Sequence, residues 1–219
     1  MSTFRLACAF LVATMSVILF TSAVAAEPKL TRAQALQRLT DADAARRREA
    51  VARLGEVGVM ADAKALVRQL RDPDEETRSR AEEALWKVWA RSGDEKVDAL
   101  YRQGIRQMNE GLAKDAVATF SRIIKLKPGF AEAWNKRATL YFFMGEHQKS
   151  LADCDEVMKR NPYHFGALAG YFQIYVQIED FEQALKYGRR ALGVNPNMDG
   201  VKSGVEAIER MLGRRRQSA

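Results

Sequence analysis

Apolar residues recur along this chain at the spacing of amphipathic helices. Near the C terminus, Val201, Val205, Ile208 and Leu212 follow one another at intervals of 4, 3 and 4 residues, which places them on one face of a helix. The 219-residue chain has only 5 prolines and 14 glycines. It is rich in Ala, Leu, Glu, Lys and Arg, whose side chains lose little rotamer freedom in helices. We therefore predict an all-α fold.

Three prolines divide the middle of the chain into equal parts. Pro128, Pro162 and Pro196 are each separated by 34 residues, and a proline cannot continue the helix that precedes it. A fixed period of this length predicts three copies of one helical hairpin. The three units span 97–130, 131–164 and 165–198.

Residues at matching places in the three units support this register. Gly111 and Gly145 stand where the first helix of a unit ends and a left-handed residue is favoured. Small residues stand where the two helices of a unit touch, as at Gly104 and Ala138. On these features, residues 97–196 resemble the tetratricopeptide repeat family, which implies a right-handed α-solenoid of stacked hairpins.

Four residues depart from the pattern of that family. Phe172 stands where the family has a small residue, and Gly188 stands where it has an aromatic one. Gln103 and Arg137 stand where the family usually has leucine. We therefore expect the helices to pack differently from the family pattern, most of all in the third unit.

The preceding segment, 27–96, shows a weaker period of 31 residues, in which Leu39 is echoed by Leu70. Each copy places an apolar helix end, an acidic turn and an amphipathic helix in the same order. This pattern resembles short HEAT-like repeats. We expect Trp86 and Trp89 to seal the junction between this segment and the first tetratricopeptide unit.

These observations predict an architecture of four parts. A HEAT-like pair over 27–96 is followed by three tetratricopeptide units over 97–196. A terminal repeat cannot leave its inner face in water, so the helix within 197–219 should cap the stack before a basic tail.

The resemblance also implies a concave groove lined by the first helix of each unit. In this family five positions of that helix generally face the groove, and here they carry aromatic, amide-bearing and almost uncharged side chains. The candidate partner-binding residues are Tyr101, Ile105, Met108, Asn109, Asn135, Thr139, Phe142, Phe143, Gln173 and Gln177.

The chemistry of these groove positions favours an apolar partner. Some family members clamp the acidic C terminus of a partner with lysine and arginine, and these positions hold neither. We predict an extended peptide or a helix with apolar side chains, resting on aromatic rings. The alternative for one of Phe142 and Phe143 is packing between helices, since neighbouring helical positions diverge by roughly 100°.

Residues 1–26 have the features of a signal peptide. Arg5 precedes an apolar run over 6–20, and small residues over 23–25 supply a cleavage pattern. This predicts export to a bacterial periplasm; an uncleaved membrane anchor is the alternative, because the apolar stretch is nearly long enough to span a bilayer. After cleavage Cys154 is the sole cysteine, so we expect a buried thiol and no intrachain disulfide.

Charge and motifs exclude several classes of function. The net charge of +7 is not gathered into a basic domain, and the arginine runs 46–48 and 214–216 are typical of solvated faces or tails. We therefore predict no nucleic-acid partner. His147 and His164 are expected to lie exposed in turns, because neither has a partner at ligand spacing and no HExxH, GxSxG or P-loop pattern occurs. The sequence predicts no catalytic residue, metal or cofactor.

The leading hypothesis is a non-enzymatic scaffold of the cell envelope that binds other proteins. A second hypothesis is a lyase or an enzyme-accessory role, because chromophore lyases of light-harvesting antennae use HEAT-like repeats. A third is a structural protein at a membrane surface, where Arg214, Arg215 and Arg216 contact anionic headgroups.

Overall fold

The computed structural model describes residues 29–217, with side chains as far as Arg214, so the predicted signal peptide lies outside the described residues. This part of the chain is all helical and contains no strand, which confirms the all-α prediction. The helices are α1 (Arg32–Arg38), α2 (Ala44–Val57), α3 (Ala63–Gln69), α4 (Glu75–Trp89), α5 (Glu95–Asn109), α6 (Ala113–Leu126), α7 (Ala131–Phe143), α8 (His147–Arg160), α9 (Phe165–Gln177), α10 (Phe181–Val194) and α11 (Asp199–Gln217). Within 29–217 no helix is both long and apolar enough to cross a membrane.

Consecutive helices pack as hairpins, and the hairpins stack into a solenoid. In the proline-defined units α5 pairs with α6, α7 with α8 and α9 with α10, while α7 also contacts α6 and α9. Val201, Val205 and Ile208 of α11 are buried against the last hairpin, which confirms that this helix caps the stack. In the preceding segment α1 pairs with α2, α3 with α4, and α2 with α4. Their likeness to HEAT repeats stays a prediction.

The first helix of each tetratricopeptide unit ends in a left-handed turn, as expected. Gly111 and Gly145 both have a φ of 75°. The third unit has Glu179 at this place, with a φ of 58°. A residue with a Cβ is strained there, so the backbone geometry of the turn is repeated even where the sequence disfavours it.

Helix α4 lies across the edge of the stack where the proline turns are found, and we call it the brace. Its Arg78 Nε donates to Asn197 Oδ1 at 3.1 Å, and its Glu82 carboxylate accepts from Asn195 Nδ2 at 2.9 Å. Its C-terminal end, at Trp89, lies close to the turn that precedes α7. The brace therefore contacts turns that are distant in sequence and holds them in line.

The expectation for the two tryptophans was wrong. Trp86 and Trp89 make their ring contacts with the rest of the stack at the boundary between the second and third units: the Trp86 and Phe165 ring centroids are 5.1 Å apart, and Trp89 stacks on His164 at 4.5 Å. Gly166 makes room for this contact, because a Cβ there would overlap the Trp86 ring. The aromatic pair thus joins α4 to helices that are distant from it in sequence.

The departures from the family pattern in the third unit compensate one another. A Cβ on Gly188 would lie 2.9 Å from the Phe172 ring, and a Cβ on Gly204 would lie 2.7 Å from the same ring. Phe172 therefore fills the space that an aromatic residue at position 188 fills in the family. The large and the small residue have exchanged places across the hairpin, which preserves the packed volume.

Arg137 stands where the family usually has leucine, and it forms an ion pair with Asp153. Its Nε and Nη2 bond the two carboxylate oxygens of Asp153 on α8 at 2.8 and 2.7 Å. Asp153 is only 4% exposed. A paired arginine and aspartate thus replace an apolar contact between the two helices of the second unit.

Two glycines of α10 provide a matched test of this packing. We expect Gly188→Ala to lower the free energy of unfolding by about 1 to 3 kcal/mol, because the new methyl overlaps Phe172 and Val205. Gly193→Ala meets no atom within 4 Å and should stabilise the helix by about 0.5 to 1 kcal/mol. Urea unfolding of both variants measures the two changes. Equal changes in the free energy of unfolding for the two variants would show that the packing of Phe172 does not require a residue without a side chain at position 188.

Candidate functional site

The ten predicted groove residues lie on α5, α7 and α9 and fall into two groups. Tyr101 and Asn135, near the starts of their helices, are 9% and 7% exposed. The residues nearer the helix ends are half-buried or exposed: Ile105, Met108, Asn109, Thr139, Phe142, Phe143, Gln173 and Gln177. The structure thus places two of the ten in the interior and eight on an open surface, and their binding role stays a prediction.

The interior group belongs to a buried polar network centred on Glu132. His164 Nε2 lies 2.8 Å from one carboxylate oxygen, and Lys136 Nζ lies 3.0 Å from the other. Asn135 Nδ2 and the Tyr101 hydroxyl each donate to this carboxylate at 3.3 Å. Glu132 is 2% exposed. A carboxylate with this many donors is fully satisfied inside the protein, so the network anchors helices and leaves no group free for a ligand.

His164 is not an exposed turn residue, as the sequence predicted; it is fully buried. Its Nδ1 accepts the backbone N–H of Ala167 at 3.1 Å and so caps the start of α9. A nitrogen that accepts carries no proton, so the proton is on Nε2, which donates to Glu132. The imidazole therefore joins two neighbouring units and is held in one tautomer.

The network fixes the charge state of its carboxyl group. Burial opposes the ionisation of Glu132, but the hydrogen bond from His164 and the charge of Lys136 outweigh burial and lower its pKa to about 2. Burial, together with the negative charge of Glu132, raises the pKa of Tyr101. Glu132 is therefore an anion and Tyr101 a neutral donor over the physiological range.

The open part of the groove contains a cavity of about 140 Å³ between α7 and α9, which we call the groove cavity. Thr139, Phe142, Phe143 and Gln173 lie at its sides, and no charged side chain lines it. Cys154 lies at its floor and is buried, as predicted; burial raises the pKa of its thiol to about 12. A thiol in that state is a poor nucleophile, so the cavity is suited to hold a side chain and not to react with one.

Exposed apolar side chains lie at or just after the ends of the first helices of the three units, and one of them, Phe143, lines the groove cavity. Phe143 is 78% exposed and touches Phe142 edge-on, with ring centroids 5.5 Å apart. At the corresponding ends of the first helices lie further exposed apolar residues: Leu112, Met144, Val176 and Ile178. We call these four residues with Phe143 the apolar lip. Clustered exposed apolar side chains are typical of protein-binding surfaces.

Carboxylates lie beside the apolar lip. Glu110, Glu179, Asp180 and Glu182 are all exposed and form no ion pair among the described residues. The turn edge is therefore acidic on a chain whose net charge is +7. Within residues 29–217 no group of three His, Cys, Asp or Glu is placed to hold a metal ion.

Sequence comparison relates this chain to repeat proteins. The family model for the tetratricopeptide repeat matches residues 131–164, the second unit defined by the prolines. A TPR repeat-containing protein of Rhizobium etli is 33% identical over 146 residues, which cover 66% of this chain and 71% of that protein.

Solved structures show the same fold. The Sgt2 TPR domain from Aspergillus fumigatus has a TM-score of 0.52 at 18% identity, over 56% of this chain and 82% of that one. The first TPR of Spaghetti (RPAP3), bound to the HSP90 peptide SRMEEVD, has a TM-score of 0.52 at 19% identity, over 54% of this chain and 94% of that one. At these identities the likeness concerns the fold alone.

Proposed function

This chain belongs to the tetratricopeptide repeat family, and from that premise we propose that it is a scaffold of the cell envelope that binds a peptide or helix of a partner protein in its groove. The observation that carries the proposal is the groove cavity with Phe143 of the apolar lip at its side, 78% exposed. A large aromatic ring in water gains free energy when a partner covers it.

The chemistry of the groove specifies the partner segment further. The groove cavity is uncharged and lined by Thr139 and Gln173, which can bond a partner backbone, and by the Phe142 ring. The unpaired carboxylates of the turns beside the apolar lip attract basic residues. The partner segment is therefore apolar in its centre and basic at its flanks.

A crosslinking experiment tests the site directly. A photoreactive amino acid in place of Phe143 should capture a partner from envelope extract of the source bacterium, because its side chain lies at the mouth of the groove. Leu126, which is 59% exposed at the end of α6, is the matched control on another surface. Equal capture at both positions, or capture at Leu126 alone, would place the binding surface outside the groove.

Once the partner is captured, its affinity gives a quantitative prediction. Phe143→Ala should weaken binding by about tenfold or more, the effect of truncating an aromatic anchor. Its free energy of unfolding should change by less than about 0.5 kcal/mol, because an exposed side chain has little packing to lose. Titration calorimetry with the wild type, Phe143→Ala and Leu126→Ala measures the first, and urea unfolding the second.

The envelope location rests on residues 1–26, whose charged start, apolar run and small-residue pattern are those of a cleaved export signal. We expect the intact mass of the protein isolated from the source cell to correspond to a chain that begins at Ala26 or Glu27. Recovery in the periplasmic fraction should accompany this mass. A full-length mass in the membrane fraction would instead support the uncleaved anchor.

A further inference from the structure

A second cavity, also of about 140 Å³, lies at the opposite end of α7 from the apolar lip. It is enclosed by the end of the brace and by the turns before α7 and α9, and we call it the turn cavity. Arg91, Lys127 and Arg160 line it, and no acidic residue does. Arg160 is ion-paired with Glu156 at 2.6 Å, so Arg91 and Lys127 are the cations that give the cavity a positive potential.

Three buried nitrogens beside this cavity lack a hydrogen-bond partner among the described residues: Trp89 Nε1, Arg91 Nε and Asn161 Nδ2. Asn161 is fully buried, and Trp89 is 4% exposed. All three nitrogens are donors, so only an acceptor can satisfy them. Burial lowers the pKa of Arg91, which shows that this cation is partly removed from water.

The start of α7 adds to the positive character. Gly129, Phe130 and Ala131 form one wall of the turn cavity. Phe130 gives no side-chain cap to α7, whereas α9 is capped by His164 and α10 by Asp180. The first N–H groups of α7 and the positive end of its dipole therefore remain at this wall.

The next repeat shows what chemistry such a site holds. Asn195 stands 34 residues after Asn161, at the same place in the third unit. Its Nδ2 donates to the carboxylate of Glu82, which the brace supplies, at 2.9 Å. At Asn161 the brace supplies the donor Trp89 and no acceptor. The same asparagine atom is satisfied by a carboxylate in one turn and unsatisfied in the other.

We propose that the turn cavity binds a carboxylate group, which accepts hydrogen bonds from Asn161 Nδ2 and Trp89 Nε1 beside the charges of Lys127 and Arg91. This site is separate from the groove, so its test does not depend on whether the groove binds the proposed partner. Its volume of about 140 Å³ has room for more than one water, which suits a carboxylate on a short carbon chain. The group comes either from a small free acid or from the end of a peptide.

The indole N–H of Trp89 is a direct reporter of this binding. The chain has three tryptophans, and their indole signals are resolved by proton–nitrogen NMR. Titration with sodium acetate at constant ionic strength should shift the Trp89 signal downfield in a saturable way. Acetamide, the uncharged analogue, should not.

Two variants test the assignment. Asn161→Ala should weaken acetate binding by about tenfold or more, the effect of losing a hydrogen bond to a charged group. Lys127→Gln, at a half-buried side chain on the rim, should weaken it severalfold without affecting folding, which circular dichroism and urea unfolding verify. The proposal is overturned if Trp89 does not respond to acetate, if acetamide or chloride gives an equal shift, or if Lys127→Gln binds as well as the wild type.

A second arm distinguishes the sources of the carboxylate. Acetate is compared with tripeptides that carry a free or an amidated C terminus. Tighter binding of the free-ended peptide than of acetate indicates a peptide end as the natural ligand. Equal or weaker binding of the peptide indicates a small free acid. Both results support a carboxylate site, provided that the amidated peptide does not bind.

Discussion

Replacing Glu132 by alanine is expected to lower the free energy of unfolding by about 3 to 5 kcal/mol, the cost of removing one partner from a buried ion pair. The substitution leaves His164 Nε2, Asn135 Nδ2 and the Tyr101 hydroxyl without their acceptor in the interior. It also removes the counter-charge of Lys136. Urea unfolding followed by circular dichroism at neutral pH measures the loss.

A charge-neutral variant separates the two contributions. Glu132→Gln keeps the volume and one acceptor oxygen, so it should destabilise less than alanine. The folded-state pKa of Glu132, about 2, is below its ordinary value of 4.5. The stabilisation from its ionisation is therefore complete above pH 4.5 and is lost as the pH falls towards 2. The difference in stability between the wild type and Glu132→Gln should shrink across that window; a constant difference would contradict the assignment.

Trp89→Ala is the second change with a large expected effect, about 3 to 5 kcal/mol, because it empties a core site. Trp89 stacks on His164 and packs on Phe165 and Trp86, and it is 4% exposed. These contacts fasten the brace to the boundary between the second and third units. We therefore expect faster proteolysis of residues 29–92 as well as a lower denaturation midpoint in urea.

Trp134→Ala is the control for Trp89→Ala, because it also replaces a tryptophan by alanine. Trp134 is half-buried on α7 and belongs to the core of the first two units, away from the brace. Its loss should lower stability less and leave the proteolysis of residues 29–92 unchanged. If both variants release the N-terminal segment equally, the attachment does not depend on the Trp89 contact.

The stacked hairpins were predictable because their cause is local and repeated. Pro128, Pro162 and Pro196 each stop a helix, and Gly111 and Gly145 each permit the left-handed turn between two helices. Such signals act through the backbone of a few residues, so they can be read without knowing what lies nearby. The apolar interval of α11 likewise predicted its buried face.

The brace and the buried polar network could not be predicted in this way. Trp86 and Phe165 are 79 residues apart, and no period links them. Their contact depends on how the chain folds back across the stack. A weaker signal was available for the network: Glu132 lies 31 residues after Tyr101 and 32 before His164, close to one repeat length. Residues that far apart in a solenoid stand side by side, so polar groups at those intervals are candidates for pairing.

The exchange between Phe172 and Gly188 shows a different limit. Each residue alone breaks the family pattern, which led to the expectation of a distorted unit. Together they conserve volume, since the ring of Phe172 occupies the space that Gly188 leaves. Pairwise complementarity of this kind is visible only when both positions are known to touch.

The brace, which lies across the proline turns, restricts bending of the solenoid. In a tetratricopeptide array without such a helix, each repeat contacts only its neighbours, so no contact between distant repeats restricts bending of the stack. Here Trp86, Glu82 and Arg78 of the brace contact the turns before α9 and α11, so one helix holds turns of different units. The superhelical pitch is therefore fixed in the unbound protein. A preset pitch spares the binding partner the entropy of ordering its receptor and selects partners by shape.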